Sequence, residues 1–247
     1  ICWDPSKGTI MESKNCSSLV TFSDDFLRRK AEVSFLQEIS CNANQLEAQK
    51  IKYSSAGFSL EGTLTDPYLN QLTGGVGTLA GPKVGLHLLQ PITLLFKRMV
   101  ARGRVQLTLV CPNKSGKGIL VFNVYGHSGG HKCKIHAART NEIFKAIKLE
   151  IAAQPKGPVL IVGDVNADIG DIPELKDLLD SWHFVDIGAH ADAYNQPVAE
   201  PTCQARNSST PTRRDYVFAS PDLFPAFVNF QVVPCDTTPV HATLIFQ

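Results

Sequence analysis

Five short segments put polar side chains at the C-terminal ends of predicted strands: Leu36-Gln37-Glu38, Asn123-Val124-Tyr125, Gly163-Asp164-Val165-Asn166, Arg214-Asp215-Tyr216, and His241 near the end of the chain. Carboxylates, amides, a phenol and an imidazole are the groups that hydrolysis of a phosphodiester draws on. That reaction needs a cation for the nonbridging oxygens, an activated water, and donors for the charge of a pentavalent transition state. Oxygen-only ligation with several waters retained suits Mg²⁺ or Mn²⁺ better than Zn²⁺. Each segment also has a plain structural reading. Glu38 can be an exposed strand-end residue, Tyr125 an aromatic at the edge of the core, and Gly163-Asp164-Val165-Asn166 an Asx turn closing a buried strand.

The elements that must position these groups follow from periodicity. Residues 159–162 are an apolar strand, preceded by Pro155-Lys156-Gly157-Pro158, which stops a helix over 141–153 whose Ile143, Phe144, Ile147 and Ile151 share a side. A strand over 32–39 leads into Glu38, between helices over 17–30 and 42–53, and a further strand covers 75–80. Two β-rich runs, 104–112 and 118–125, flank the turn-forming residues 113–117 and predict an antiparallel hairpin. A short helix over 175–182, a loop-rich excursion over 189–211, and closing strands over 215–219 and 242–246 complete a mixed α and β chain with an irregular opening. No repeat, low-complexity tract or composition break marks a linker, so residues 1–247 read as a single domain.

Composition narrows the partners. With 24 basic and 23 acidic residues the net charge is +1, so a polyanion would have to be held by local clusters. The clusters available are Arg28-Arg29-Lys30, Lys97-Arg98, Arg102, Arg104, Lys132, Lys134 and Arg213-Arg214. The seven cysteines form no CxxC pair and predict reduced thiols in an intracellular protein, cytoplasmic or nuclear. The most apolar stretch, 84–96, is broken by His87, Gln90 and Pro91 and is shorter than a bilayer span of about 20 residues, so no membrane helix is expected. A start at Ile1 reads as a domain excised from a larger protein, or one truncated at its N-terminus.

Taken in order, the five segments resemble the endonuclease/exonuclease/phosphatase superfamily, the DNase I-like proteins, from about residue 32 to the end, most specifically at Gly163-Asp164-Val165-Asn166 and Arg213-Arg214-Asp215-Tyr216. The resemblance implies an α/β (α+β) fold, a four-layer α/β/β/α sandwich of two mostly antiparallel sheets flanked by helices. It implies a Mg²⁺-dependent phosphodiesterase in which Glu38 binds the metal, with Mn²⁺ as an alternative cation. Asp164 corresponds to the Asp that orients or deprotonates the attacking water, and Asn166 to an uncharged donor for a phosphate oxygen. Asp215 corresponds to the Asp that fixes the tautomer of the catalytic imidazole, His241. Tyr125 corresponds to a phosphate donor. Asn123, Arg214 and His127-Ser128, which stands where the family has Pro-Asn, are the expected substrate contacts.

Two motifs depart from the family pattern. At the N-terminus Asp4 follows Ile1-Cys2-Trp3 where an Asn is expected, and Asn15 has no predicted strand before it, so Asp4 is carried as a metal or phosphate ligand. The closing Ser-Asp-His-x-Pro has two registers on residues 236–243. Aligned on Pro239, Asp236 matches and Thr237 replaces the histidine; aligned on His241, Val240 replaces the aspartate. The second is preferred because it leaves residues 242–246 as the closing strand. The segments 126–130 and 213–218 look most like retroelement endonuclease domains, implying DNA, or RNA, as substrate and linkage to a reverse transcriptase. Three other readings compete: a noncatalytic nucleic-acid-binding module, a phosphatase or phospholipase of the same superfamily, and a zinc site at His127, His131, Cys133 and His136, whose spacing fits no standard module.

Overall fold

The structure, a computed structural model, describes residues 8–67, 73–112, 118–204, 209–234 and 240–247. In chain order its strands and α-helices are β1 (Met11–Asn15), α1 (Leu19–Leu27), β2 (Val33–Gln37), α2 (Ala43–Ser55), β3 (Ser59–Gly62), β4 (Val76–Ala80), β5 (Gly85–Leu88), α3 (Leu94–Ala101), β6 (Val105–Cys111), β7 (Ile119–Tyr125), α4 (Lys134–Ala153), β8 (Val159–Asp164), α5 (Pro173–Asp180), β9 (Val185–Asp186), β10 (Asp215–Ala219), β11 (Phe230–Val233) and β12 (Thr243–Phe246). One sheet has the order β11-β12-β1-β2-β4-β3 and the other β5-β6-β7-β8-β10-β9. Among the described residues only β1 with β2 and β7 with β8 pair in parallel. The remaining pairs are antiparallel, as the mostly antiparallel expectation required.

Alternation along each strand decides what the layers share. In β8, Val159 and Ile161 join α4 and α5 in one apolar cluster, whereas Leu160 and Val162 turn to the other sheet. Phe35 of β2, Val121 of β7, Val217 of β10 and Phe246 of β12 fill the same space between the sheets. On the far side of the first sheet, Leu36 and Leu79 pack on Leu19 and Phe26 of α1 and on Leu46 and Tyr53 of α2. These clusters give the expected four layers, with helices outside and two sheets inside.

Three differences from the sequence reading have local causes. β1 was expected to be irregular, because Glu12 and Lys14 break its apolar pattern. It is fully buried instead, and Glu12 is satisfied by Arg29 at 2.8 Å and by the Ser34 hydroxyl at 2.7 Å. α3 was not expected as a helix. Its N-cap is Thr93, whose hydroxyl accepts the Phe96 amide at 3.4 Å, and the buried Glu150 carboxylate fixes the segment just before the helix by accepting the Ile92 and Thr93 amides at 2.7 and 2.8 Å. α4 begins at Lys134, a full two turns before the expected start. Among the described residues no helix is long and apolar enough to cross a membrane.

Candidate active site

Strand parity carries the polar ends of several strands into one place. Asp164 continues the inward series Leu160, Val162; Tyr125 continues Val121, Asn123; and Asp215 precedes Val217, Ala219. In the second sheet Tyr125 lies opposite Asp164 across a parallel pair and Asp215 opposite Asp164 across an antiparallel pair. Asp215 therefore sits at the start of β10, not at a C-terminal strand end as expected; the reversed direction brings it to the same edge. His241 likewise precedes β12, which runs antiparallel to β1. In the first sheet Asn15 and Gln37 end the parallel pair β1 and β2 on that edge.

Two glycines let β7 and β8 close on each other here. Gly163 has φ 143°, a region open to glycine, and a Cβ on it would lie 2.0 Å from the Val124 carbonyl oxygen. A Cβ on Gly126 would lie 2.0 Å from the Val165 carbonyl oxygen. Beyond the strand end, Asn166 has φ 58°, and Glu38, just past β2, has φ 55°. Asn tolerates this left-handed conformation; for Glu it is strain of order 1 kcal/mol, which the surrounding fold must hold in place.

Asp164 is fully buried and accepts three hydrogen bonds. Its Oδ1 takes the Asn166 amide N–H at 2.9 Å, and its Oδ2 takes the side-chain amides of Asn166 at 2.9 Å and Asn15 at 3.0 Å. The Gly-Asp-x-Asn segment does form an Asx turn, and that turn is what folds Asn166 back onto the carboxylate. Three N–H donors arrange Asp164 as a carboxylate, while burial, with Asp215 reinforcing it and His241 opposing it, pushes its pKa up. The result is a stronger base than an ordinary aspartate.

His241 stands beside it, with Nε2 3.8 Å from Asp164 Oδ2. Its Nδ1–H donates to Asp215 Oδ2 at 2.9 Å, and the Thr202 hydroxyl donates to the same oxygen at 2.7 Å. Burial alone would lower the His241 pKa, but the Asp215 and Asp164 carboxylates outweigh it and hold the imidazole protonated. Asp164, Asp215 and His241 each offer one potential metal-ligand atom, all within 4.8 Å of one another. Among the described residues Asp215 Oδ1 is buried without a hydrogen-bond partner, so these groups could hold a cation or handle a proton while the His241–Asp215 hydrogen bond stays intact.

Tyr125 and Glu38 line a neighbouring cavity of about 430 Å³ together with His127 and Ser128. The Tyr125 phenol lies 3.3 Å from the Ser128 hydroxyl, and the Arg104 guanidinium stacks over its ring at 5.2 Å. Burial, followed by the Glu38 and Asp164 charges, raises the Tyr125 pKa, so the phenol remains a donor at neutral pH. Among the described residues the Glu38 carboxylate has no hydrogen-bond partner, which leaves its oxygens open to a cation.

Other expected contacts lie elsewhere. Asn123 is fully buried between the sheets, where its Oδ1 accepts from Gln37 at 2.8 Å and its Nδ2 donates to the Gly77 carbonyl at 2.8 Å. Its amide is consumed as a strut. Arg214 is also buried, its guanidinium bound to Asp168 at 2.6 Å, and Arg213 is paired with Asp186. Asp4 and Asp236 fall outside the described residues. Among the described residues His127, His131, Cys133 and His136 form no metal-ligand group, and His136 Nδ1 donates instead to the Ser128 carbonyl at 2.6 Å. The residue that sequence reasoning set aside is Asn15. Its signal was present, an Asn before a helix-capping Ser, but the strand that delivers it was masked by polar residues.

No family model matches the chain, and no curated protein matches it by sequence. Solved structures do match. The AP endonuclease LMAP from Leishmania major superposes with a TM-score of 0.74 at 15% identity, covering 99% of this chain and 88% of that one. The catalytic domain of Xenopus laevis APE2 gives 0.70 at 15% identity, covering 97% and 91%. The 3' phosphatase NExo from Neisseria, solved with a product DNA hairpin, gives 0.70 at 14% identity, covering 97% and 98%. At these identities the likeness establishes architecture: the chain has the DNase I-like fold shared by these exonuclease, endonuclease and phosphatase structures.

Proposed function

We propose that the chain is a divalent-metal-dependent phosphodiester hydrolase that acts as an endonuclease on DNA. The observation that carries this reading is the buried Asp164 carboxylate, fixed by Asn15 and Asn166 and set 3.8 Å from an imidazole that Asp215 holds. Asp164 would orient the attacking water and take its proton. His241, kept protonated, would donate to the phosphate, with the Asn166 amide and the Tyr125 phenol as further donors. Glu38 fits a hard cation by donor chemistry; a bound Mg²⁺ would neutralise charge on the nonbridging oxygens.

DNA is favoured because the solved relatives of this fold include AP endonucleases and a phosphatase bound to a DNA hairpin. The retroelement reading, with linkage to a reverse transcriptase, is supported by the sequence segments 126–130 and 213–218 alone. The test is nicking of supercoiled DNA with Mg²⁺, Mn²⁺ or EDTA, run beside an inositol phosphate and sphingomyelin. Asp164→Asn and His241→Ala should each lower cleavage by at least about 10²-fold while the circular-dichroism spectrum is kept. Undiminished cleavage by both variants would sink the assignment, and DNA binding without cleavage by the parent protein would favour the noncatalytic module.

A further inference from the structure

Arg104 is a buried cation to which the proposed chemistry gives no role. It directly precedes β6, and the β6–β7 register, continued one residue past Val105 and Val124, sets it opposite Tyr125. The Tyr125 amide N–H donates to the Arg104 carbonyl at 2.8 Å, so the two residues are cross-strand neighbours at the end of the second sheet. The guanidinium stacks on the phenol ring, 5.2 Å from its centroid, and is anchored by the Asp66 carboxylate at 3.6 Å and the Gly126 carbonyl at 3.4 Å. Asp66 is buried as well. Taking a guanidinium out of water is costly, and one carboxylate partner offsets that cost only in part, so an arginine held here calls for a reason beyond the ion pair.

The ring it covers needs a restraint. After burial, the Glu38 and Asp164 carboxylates are the groups that raise the Tyr125 pKa, whereas Ser128 and Arg104 lower it. A neutral phenol near two carboxylates has a ready acceptor in either, and once engaged with one it is lost to a phosphate. Its oxygen lies instead 3.3 Å from the Ser128 hydroxyl, beside the cavity that Glu38 also lines. We infer that Arg104 is a positioning residue: its guanidinium, anchored on Asp66 and Gly126, holds the plane of the Tyr125 ring so that the hydroxyl meets Ser128 and the substrate phosphate and not the Glu38 or Asp164 carboxylate. The phosphate in this statement rests on the phosphodiester-hydrolase reading given above; the hold on the ring does not. A lysine would supply the charge but not the flat fork that stacks and anchors at once.

Producing the full chain with 3-fluorotyrosine places a fluorine on each of its five tyrosines, and Tyr125→Phe identifies the Tyr125 resonance by its loss. In Arg104→Met that resonance should shift while the others hold their positions, and Arg104→Lys should not restore it. In nicking of supercoiled DNA with Mg²⁺, Arg104→Met should lower kcat about tenfold and keep KM within about twofold, the pattern of a group that acts in the transition state and not in binding. In the Tyr125→Phe background the same substitution should change kcat by less than about twofold, because no hydroxyl is left to position. An unmoved fluorine resonance, a raised KM with kcat kept, or the tenfold loss repeated in the Tyr125→Phe background would each overturn the inference. Should Arg104→Met lose the native circular-dichroism spectrum, Arg104→Lys carries the same comparison. A parent protein that cleaves no phosphodiester would remove the hydrolase reading, and the fluorine resonance would still decide whether Arg104 holds the phenol.

Discussion

Asp164 illustrates how burial and hydrogen bonding oppose each other at a single residue. Desolvation favours its neutral form, whereas donors from Asn15 and Asn166 favour the carboxylate, and the balance leaves a base of raised strength. His127 shows the converse case. Its folded-state pKa lies near 3 against an ordinary 6.5, so the native protein resists a proton that the unfolded chain accepts. Stability is thus fully present above pH 6.5 and is lost as pH falls from 6.5 toward 3. His127→Gln should flatten that decline, which urea midpoints measured across this window would show; an unaltered pH profile would mean that His127 is not the group responsible. His241 behaves oppositely. Its raised pKa contributes stability below its ordinary value that persists through neutral pH.

At the scale of elements, the site depends on strands whose inward residues turn polar toward the ends that form it. The inter-sheet seam then has to accommodate polar side chains, and Asn123 does so by tying β7 to β2 and β4. Asn123→Leu should lower unfolding free energy by roughly 1–3 kcal/mol, because the Gln37 amide and two backbone carbonyls lose their partner in a buried place. Denaturant titration would measure this. A change confined to KM, with stability kept, would instead return Asn123 to the substrate contacts. Much of this scale was legible in the sequence. The strands over 119–125 and 159–164 were legible as apolar runs ending in polar residues, although apolar side chains on both faces left their inward face to the fold. β1 was not legible, because Lys14 and Glu12 look like surface residues until Arg29 and Ser34 are brought to Glu12 by the fold.

For the whole molecule, the sandwich assembles its site from both sheets, and a cation bound only by the folded arrangement would stabilise the native state. Mg²⁺ at about 100 times its dissociation constant would add roughly 2.7 kcal/mol, a rise in Tm on the order of 5–10 °C for a protein of this size. Glu38→Ala should abolish that increment, whereas an undiminished Mg²⁺-dependent rise in the variant would place the cation elsewhere. The near-neutral charge makes the same prediction independent of long-range attraction, since cation binding depends on the few oxygens at the cavity.

By itself the sequence determined the strand-end segments, the mixed α and β composition, and the preference for His241 over Asp236, because each depends on residues adjacent in the chain. Tertiary structure alone decided which of those residues meet. Asn15 reaches Asp164 across 149 positions of sequence, and Asn123 and Arg214 are drawn into buried struts and ion pairs. The physical reason is that periodicity fixes which face a side chain takes, but not what lies across from it. Partners are chosen by sheet order and register, and these are set only when two apolar faces close on each other.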